Sequence, residues 1–334
     1  MKSLNCVFII GSSRSGTTML SRVLAKQESV YTFNELHFFS QIFIKYRRKK
    51  IDYSAALNVL SELFKRQYFG LFSKKRKSDF KELSLDILDK KSYDVLEVFK
   101  IFIQYELHQK QKEVACFHTP NNIYYIEEIV NVFPNSKFIN MVRDNRDVLL
   151  SQKNKWKRKF LGARKIPFFE SLRSFANYHP ITTSIVWNSS LNMTREYRDR
   201  ADFFVLKFEE FLLSPENKCV KLCKFLELDY QPEMLEIANI GSSNMKDSQE
   251  KRIDATKVNK WQAGDLSNSE IYLAQFFSKS IMKELHYKNK PFLLPPIPVF
   301  YFLLIFPFKL LLAFIFNLNR ISSALNVLNF KDKL

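Results

Sequence analysis

Apolar residues are distributed along the chain in two patterns. Short runs rich in valine, isoleucine and phenylalanine are typical of strands buried on both faces, and longer segments with helical spacing are typical of amphipathic helices. Strands are predicted at residues 7–10, 114–117, 137–142 and 203–207. Helices are predicted at residues 17–26, 122–132, 147–155, 185–198, 215–226 and 267–285, with Ser214 capping the fifth. This alternation predicts an α/β, P-loop-like three-layer fold with a mainly parallel central sheet flanked by helices.

The segment 40–112 separates the first two predicted strands. It is rich in lysine and aromatic residues, has helical spacing and contains almost no glycine. We interpret it as a helical insertion that covers a substrate. A chain of 334 residues can bury a large core. One domain over residues 1–290 is therefore predicted to carry this insertion.

The C-terminal extension, residues 291–334, differs from the rest of the chain. Prolines at 295, 296 and 298 interrupt the helical pattern, and residues 299–316 are then apolar except for Lys309. Because a membrane-spanning helix needs about 20 apolar residues, this run is at the limit between spanning a bilayer and lying on its surface, with Lys309 towards the headgroups. The alternative is a helical hairpin packed on its own domain or on a partner. We expect a cytoplasmic protein held at the cytoplasmic membrane face.

Charge and cysteine content limit the partners and the compartment. The 52 lysines and arginines exceed the 34 acidic residues and give a net charge of +18, which attracts phosphorylated cofactors, polyanions or an anionic membrane. The basic run 153–159 lies close to a motif described below. The four cysteines lack metal-type spacing, so neither a disulfide framework nor a zinc site is expected. The apolar run 6–10 is too short for a secretory signal.

The loop Gly11 to Thr18, GSSRSGTT, joins the first predicted strand to the first predicted helix. In this layout backbone N–H groups surround a phosphate and the helix N-terminus faces it. Two of the chain's six glycines bracket the loop, which favours a role in backbone geometry. Nucleotide triphosphatases need Gly-Lys-Ser/Thr here, whereas Gly16 is followed by Thr17 and the cation is Arg14. We predict a phosphate-binding loop in which Arg14 offers a fork of donors.

This loop resembles the 5′-phosphosulfate loop of the sulfotransferases that use 3′-phosphoadenosine 5′-phosphosulfate (PAPS), especially the bacterial carbohydrate and tyrosylprotein-type branch. The family's loop has approximately the sequence G-x-P/S-R-S-G-T-T, and this chain has GSSRSGTTML. The resemblance implies that the donor binds the loop residues Ser13, Arg14, Ser15, Gly16, Thr17 and Thr18.

A second segment, FPNSKFINMVRDNRDVLLS at residues 133–151, is similar to the 3′-phosphate segment of the same family. The similarity implies that Arg143 and Ser151 hold the 3′-phosphate. Asn145 stands where the family usually has proline. We interpret Asp144, Asp147 and Arg146 as residues that fix the turn and cap the following helix.

Four weaker matches complete the resemblance, which covers about residues 5–288; one of them, residues 203–228, resembles a strand and helix of the family's fold. NELHFF at 34–39 looks like the family's P-E-T-H-F-F segment and implies that Glu35 is the catalytic base, with His37 a packing residue beside it. FHTP at 117–120 has His118 where many relatives have a lysine that contacts the transferred group. VNKWQAGDLSNSE at 258–270 resembles the segment that closes over the nucleotide, and implies that Lys260 binds the 3′-phosphate and that Trp261 packs there.

The resemblance implies transfer of the sulfuryl group of PAPS to an acceptor hydroxyl. Glu35 would take the proton, and Arg14, Thr17, Thr18 and His118 would stabilise the negative charge that develops, without a metal. A carbohydrate or glycolipid acceptor would suit both the basic insertion and the apolar extension, and a small hydroxylated metabolite is the alternative. No nucleic-acid partner is expected.

Two other functions remain open from the sequence. A P-loop kinase or another nucleotide-binding enzyme shares the strand, loop and helix, but needs a loop lysine and a magnesium carboxylate that the sequence does not offer. A basic module that binds nucleic acid or lipid would explain the charge, but not the pair of phosphate-binding segments.

Overall fold

The computed structural model describes residues 4–46, 49–73, 76–160, 166–237 and 253–331. The strands are β1 (Asn5–Gly11), β2 (Val30–Thr32), β3 (Lys50–Ile51), β4 (Tyr93–Asp94), β5 (Val114–Phe117), β6 (Lys137–Val142) and β7 (Phe203–Lys207). The α-helices are α1 (Thr17–Leu24), α2 (Ile44–Tyr46), α3 (Tyr53–Phe69), α4 (Lys81–Ile87), α5 (Val95–Lys110), α6 (Ile126–Val132), α7 (Asn145–Lys153), α8 (Phe168–Ala176), α9 (Pro180–Met193), α10 (Phe208–Leu213), α11 (Pro215–Leu226), α12 (Asn268–Glu284) and α13 (Val299–Lys331). Shorter helical segments include the π-helix Phe38–Phe43 and the 3₁₀ helices Pro120–Tyr124, Lys155–Lys159, Ala255–Lys257 and Lys260–Ala263.

The central sheet has five parallel strands in the order β2-β5-β1-β6-β7. The predicted α/β fold with a mainly parallel sheet flanked by helices is therefore confirmed. All four predicted strands are present, whereas β2 was not predicted because it is only three residues long. β3 and β4 form a separate antiparallel pair. Because β1 lies between β5 and β6, the loop after β1 and the end of β6 meet at the same edge of the sheet.

The two faces of the sheet have different cores. On one face, phenylalanines from adjacent strands lie side by side, with ring centroids 5.0 Å apart for Phe8 and Phe117 and 5.6 Å apart for Phe8 and Phe138. α5 packs on this aromatic face. On the other face, Val7 and Ile9 pack with α1 and α11. Burial of both faces explains why β1 is a continuous apolar run rather than an alternating one.

The helix ends differ from the predicted ones in ways that local capping explains. Pro215–Leu226 is observed as predicted, but Ser214 makes no capping hydrogen bond through its side chain. Its backbone N–H instead donates to the Glu210 carbonyl at 3.0 Å and closes α10. The helix predicted at 122–132 is a 3₁₀ turn followed by the shorter α6. α9 begins five residues before its predicted start at 185, because His179 accepts a hydrogen bond from the Ile181 N–H and Pro180 suits the first turn.

The segment 40–112 is largely helical in its described part, with residues 47–48 and 74–75 outside the described residues. It contributes α3, α4 and α5, and its aromatic side chains join the core of the sheet. The rings of Phe38 and Phe99 stack with their centroids 3.8 Å apart. This packing holds the π-helical segment, and with it the residues just before position 38, against the domain. That the segment covers a substrate stays a prediction.

The apolar extension forms α13, with Pro307 inside the helix. Residues Val299–Leu318 have a mean hydropathy of 2.4 and only 6% of this stretch is buried, so its length and composition permit a membrane span. One side of α13 packs against α8, where the ring centroids of Phe169 and Phe316 are 5.3 Å apart. The Nζ of Lys309 donates to the Phe175 carbonyl at 3.3 Å, and the orientation of Lys309 towards headgroups stays a prediction.

Candidate active site

The loop after β1 has a backbone that requires both of its glycines. Gly11 has a φ of +145°, and a Cβ there would lie 2.4 Å from the Met141 carbonyl oxygen of β6. Gly16 has a φ of +100°, and a Cβ there would lie 2.5 Å from the Phe208 ring. Arg14 also has a positive φ of 79°, which is uncommon for a residue with a side chain. The loop is therefore a specific, closely packed conformation.

α1 begins at Thr17, directly after this loop, without a capping side chain. The first N–H groups of a helix have no partner within the helix and carry a partial positive charge, so this end is suited to an anion. The Ser15 hydroxyl is buried and makes no hydrogen bond among the described residues. Thr17 is buried, and Ser13 and Thr18 are half-buried. The predicted donor-loop residues therefore surround one uncapped helix end.

Arg14, Arg143 and Ser151 come from three different elements and meet beside the loop. The Arg14 Nε donates to the Ser151 Oγ at 2.8 Å. The Arg143 Nη1 donates to the Arg14 carbonyl at 3.3 Å. Since Ser151 lies on α7 and Arg143 follows β6, the order of the strands brings these groups together. The two segments that resemble opposite ends of a nucleotide site are thus in direct contact.

Packing from several directions fixes the Arg143 side chain. Its guanidinium carbon lies 4.3 Å from the centroid of the Phe208 ring. Its Nη2 donates to the Lys257 carbonyl at 3.3 Å and lies 3.7 Å from the Asp147 Oδ2. The Trp187 Nε1 donates to the Arg143 carbonyl at 2.9 Å. The guanidinium is therefore held in one orientation before any ligand binds.

The residues after Arg143 fix the start of α7, as predicted. Asp144 caps the helix by accepting from the Arg146 N–H at 2.8 Å. Its carboxylate also pairs with the Arg146 guanidinium at 2.6 Å in a buried position. Glu209 accepts from the Asp144 N–H at 2.8 Å. Asp147 accepts from the backbone N–H of Trp261 at 2.9 Å. This network holds the turn that presents Arg143.

Lys260 and Trp261 are neighbours in sequence but have different surroundings. Trp261 is buried, and the guanidinium carbon of Arg146 lies 3.8 Å from the centroid of its ring, so Trp261 supports the α7 turn. That Trp261 packs at the 3′-phosphate stays a prediction. Lys260 is exposed and forms no hydrogen bond or ion pair within the described residues. The pKa of Lys257 is lowered by burial and by the charges of Lys260 and Arg143. The carbonyl of Lys257 accepts a hydrogen bond from Arg143. A role of Lys260 at the 3′-phosphate stays a prediction.

Like charges crowd this edge of the sheet. Burial, with the charges of Arg158 and Arg143, lowers the pKa of Arg14 to about 10, so its guanidinium remains positive at neutral pH. Burial, with the charges of Arg14 and Arg158, lowers the pKa of Lys155 to about 8. Cations held this close repel one another unless an anion lies between them. The electrostatics therefore match a ligand with several negative charges.

Glu35 is the carboxylate that faces these cations. Its side chain is 44% exposed, and its Oε2 lies 3.6 Å from the His37 Nε2. Burial tends to raise the pKa of Glu35, but the neighbouring imidazoles of His37 and His118 and the charge of Lys155 outweigh it and bring the pKa below its usual value. Glu35 is therefore ionised at neutral pH and can accept a proton.

His118 is a buried neighbour of Glu35. Burial lowers the pKa of its imidazole despite the opposing effect of Glu35, so the ring is neutral at pH 7. Its Nδ1 is buried and has no hydrogen-bond partner among the described residues. The ring therefore offers the site one nitrogen without a permanent positive charge.

Lys155 and Arg158 are residues of the site that the sequence did not single out individually. Both lie on the 3₁₀ helix Lys155–Lys159, and Glu35 raises the pKa of each. The available signal was the basic run 153–159, which begins just after Ser151. A basic run does not show which of its members turn inward, so only the structure separates these two residues from Lys157.

A parallel sheet with an uncapped helix end at its edge, and with cations from two neighbouring strands, gives an α/β protein with a site suited to a ligand with several phosphate-like groups. A model of the sulfotransferase family matches residues 6–232, about two thirds of the chain. The chain belongs to the sulfotransferase family.

Other comparisons agree with this family. A protein from Caenorhabditis briggsae described as a putative protein-tyrosine sulfotransferase is 26% identical over 135 residues, which span 39% of this chain and 44% of that protein. The sulfotransferase domain of the curacin biosynthetic pathway aligns with a TM-score of 0.52 and 17% identity, over 87% of this chain and 100% of that domain. The sulfotransferase domain of the Synechococcus PCC 7002 olefin synthase aligns with a TM-score of 0.53 and 14% identity, over 87% and 98%. At these identities the two structures show the fold alone.

Proposed function

We propose that the protein transfers the sulfuryl group of PAPS to the hydroxyl of an acceptor. The observation that carries the proposal is the direct contact of Arg14 with Ser151 and Arg143 at the uncapped end of α1. One nucleotide with a 5′-phosphosulfate and a 3′-phosphate would bring enough negative charge to neutralise these cations. A protein that bound a single phosphate would not need two such segments.

The proposed reaction is a single in-line displacement at sulfur. The acceptor oxygen forms a bond to sulfur while the bond from sulfur to the 5′-phosphate oxygen breaks, and adenosine 3′,5′-bisphosphate leaves. Glu35 takes the proton of the acceptor hydroxyl. Arg14 and the hydroxyls of Thr17 and Thr18 stabilise the negative charge on the bridging and sulfuryl oxygens. The neutral His118 ring supplies a hydrogen bond rather than a charge.

The proposed acceptor is a carbohydrate or glycolipid at the cytoplasmic face of a membrane. The exposed apolar surface of α13 supports attachment to a bilayer, since water is a poor solvent for a stretch with a mean hydropathy of 2.4. α13 also contacts α2 and α8. α2 directly follows the segment that carries Glu35, so an attached bilayer would lie near the acceptor side of the site.

A transfer assay tests this function. The full-length protein in detergent micelles is incubated with PAPS labelled in its sulfuryl group and with a panel of hydroxylated glycans and glycolipids. We expect a labelled acceptor and a rate about 100-fold lower for Arg14→Ala, the usual loss when one donor to a developing negative charge is removed. Arg14→Lys keeps the charge and controls for folding, and should fall between the two. Transfer by Arg14→Ala at the wild-type rate would contradict the proposal.

A further inference from the structure

The helix α3 holds the backbone on both sides of Glu35. The Asn34 N–H donates to the Gln67 Oε1 at 2.9 Å, and the Asn34 side-chain amide donates to the Gln67 carbonyl. The Arg66 Nη1 donates to the Leu36 carbonyl at 2.7 Å. Arg66 and Gln67 are neighbours in sequence, and both are buried. The residue on each side of Glu35 is therefore tied to α3 through its backbone.

A buried carboxylate fixes the orientation of the Gln67 amide. Glu106 of α5 is fully buried, and its Oε2 accepts from the Tyr31 hydroxyl at 2.8 Å. Because the Tyr31 proton is used in that bond, the Tyr31 oxygen accepts from the Gln67 Nε2, which lies 2.8 Å away. The amide oxygen of Gln67 then faces the Asn34 N–H. Reversal of the amide would place a second donor against that N–H.

The Arg66 side chain is fixed by a second partner. Its Nε donates to the Glu62 Oε1 at 2.9 Å, one turn earlier in α3. The Leu36 carbonyl that its Nη1 contacts lies just before a turn in the backbone, where His37 has a positive φ of 49°. A residue with a side chain keeps such a backbone conformation only where its surroundings fix it. Arg66 thus holds the chain at the point where it turns from Glu35 into the π-helix.

The sheet holds the same segment from the other direction. The Phe33 N–H donates to the Cys116 carbonyl of β5 at 2.8 Å, and the rings of Phe33 and Phe117 stack with their centroids 4.7 Å apart. With the backbone fixed before and after Glu35, rotation about its own side-chain bonds is the motion that remains. The contact of 3.6 Å between the Glu35 Oε2 and the His37 Nε2 restricts that rotation.

We propose that Arg66 and Gln67 are positioning residues, which hold the Glu35 carboxylate where it takes the proton of the acceptor hydroxyl. Both act through the backbone that carries Glu35 and not on the reacting atoms. The inference rests on the proposed sulfuryl transfer with Glu35 as its base, and it adds the residues that fix this base in place. A reacting group held in one position contributes to the rate because less freedom is lost when the reaction occurs.

Hydrogen exchange measured by mass spectrometry tests the positioning without an acceptor. Gln67→Met and Arg66→Met are compared with the wild type as full-length proteins in detergent micelles. Ser61→Ala is the matched control, because it removes a buried hydrogen bond of 2.9 Å to Ser84 that joins α3 to α4. We expect the amides of residues 33–37 to exchange about tenfold faster in Gln67→Met and Arg66→Met, and at the wild-type rate in Ser61→Ala.

Kinetics test whether this positioning serves the reaction. Single-turnover transfer from labelled PAPS is measured with the glycan or glycolipid of the transfer assay that the wild type labels fastest. We expect a rate about 10- to 100-fold lower in Gln67→Met, an unchanged rate in Ser61→Ala, and an affinity for adenosine 3′,5′-bisphosphate within about twofold in both. A variant with both Glu35→Gln and Gln67→Met should be as slow as Glu35→Gln alone, because no base remains to be positioned.

Each outcome decides between the proposals. If the wild type labels no acceptor, or if Glu35→Gln transfers at the wild-type rate, the proposed function or its base is overturned, and this inference with it. If Glu35→Gln is slow, the inference alone is overturned by wild-type transfer in Gln67→Met, by losses that multiply in the double variant, or by an equal loss in Ser61→Ala. Unchanged exchange of residues 33–37 in Gln67→Met and Arg66→Met would also overturn it. A loss of bisphosphate affinity in Gln67→Met would show a general structural role and contradict the positioning role.

Discussion

Replacement of Glu35 by glutamine is expected to lower the rate of sulfuryl transfer by about 100- to 10,000-fold, the usual contribution of a positioned general base. Glutamine keeps the shape of the side chain but cannot take the proton of the acceptor hydroxyl. Binding of adenosine 3′,5′-bisphosphate should remain within about twofold, because Glu35 faces the acceptor and not the donor. The measurement is the single-turnover rate with labelled PAPS, together with the affinity for the bisphosphate.

The ionisation of Glu35 determines how the rate of sulfuryl transfer falls at low pH. Glu35 is active when ionised, and its pKa lies below the usual 4.5 because the neighbouring imidazoles of His37 and His118 and the charge of Lys155 outweigh its burial. The rate should therefore stay constant as the pH falls from 7 to 5, and should decline only below the usual glutamate range. A decline between pH 7 and pH 5 that persists in Glu35→Gln would contradict this account, because a group other than Glu35 would then be the base. A rate in Glu35→Gln equal to that of the wild type would also contradict the proposed role.

Replacement of Gly11 by alanine is expected to destabilise the fold by about 4 kcal/mol, as the sum of backbone strain and a steric overlap. The φ of +145° is unfavourable for alanine, and its Cβ would lie 2.4 Å from the Met141 carbonyl oxygen. That oxygen belongs to the backbone of β6 in the centre of the sheet, so it cannot move away without separating paired strands. Denaturant unfolding of the full-length protein measures the loss.

Gly70→Ala is the matched control for this prediction. Gly70 also has a positive φ, of 81°, but a Cβ there would meet nothing within 4 Å. Alanine at position 70 should therefore cost only the backbone strain of a φ of 81° and a ψ of 165°, about 2 kcal/mol. Equal losses for the two variants would show that the close approach of the loop to β6 does not contribute, and that the loop conformation described here is wrong.

The sequence predicted those parts of the protein in which a local pattern fixes the structure. β6 is a buried apolar run that ends before Arg143, and its bounds are as predicted. The glycines around the phosphate loop were recognised because few other residues can adopt its backbone, and both have a positive φ. The capping role of Asp144 follows from its position before a helix and is confirmed.

Other parts depend on tertiary contacts that no local pattern encodes. The contact of Arg14 with Ser151 depends on the position of β1 next to β6 in the sheet. The ring of Trp261 packs on the buried Arg146 guanidinium, a contact that the resemblance of its segment to a closing loop did not indicate. Lys155 and Arg158 turn inward because α7 passes into a 3₁₀ turn, and a run of basic residues gives no sign of that geometry.

The central claim is that one nucleotide is bound at both of its phosphate-bearing ends by the Arg14 loop and by the Arg143–Ser151 pair. The most direct measurement is calorimetric titration of the full-length protein with adenosine 3′,5′-bisphosphate, with adenosine 5′-phosphate and with ATP in the presence of Mg²⁺. We predict that the bisphosphate binds at least about tenfold more tightly than either of the others, because it alone satisfies both pockets. Equal affinities for the bisphosphate and adenosine 5′-phosphate, or a preference for ATP with Mg²⁺, would contradict this claim.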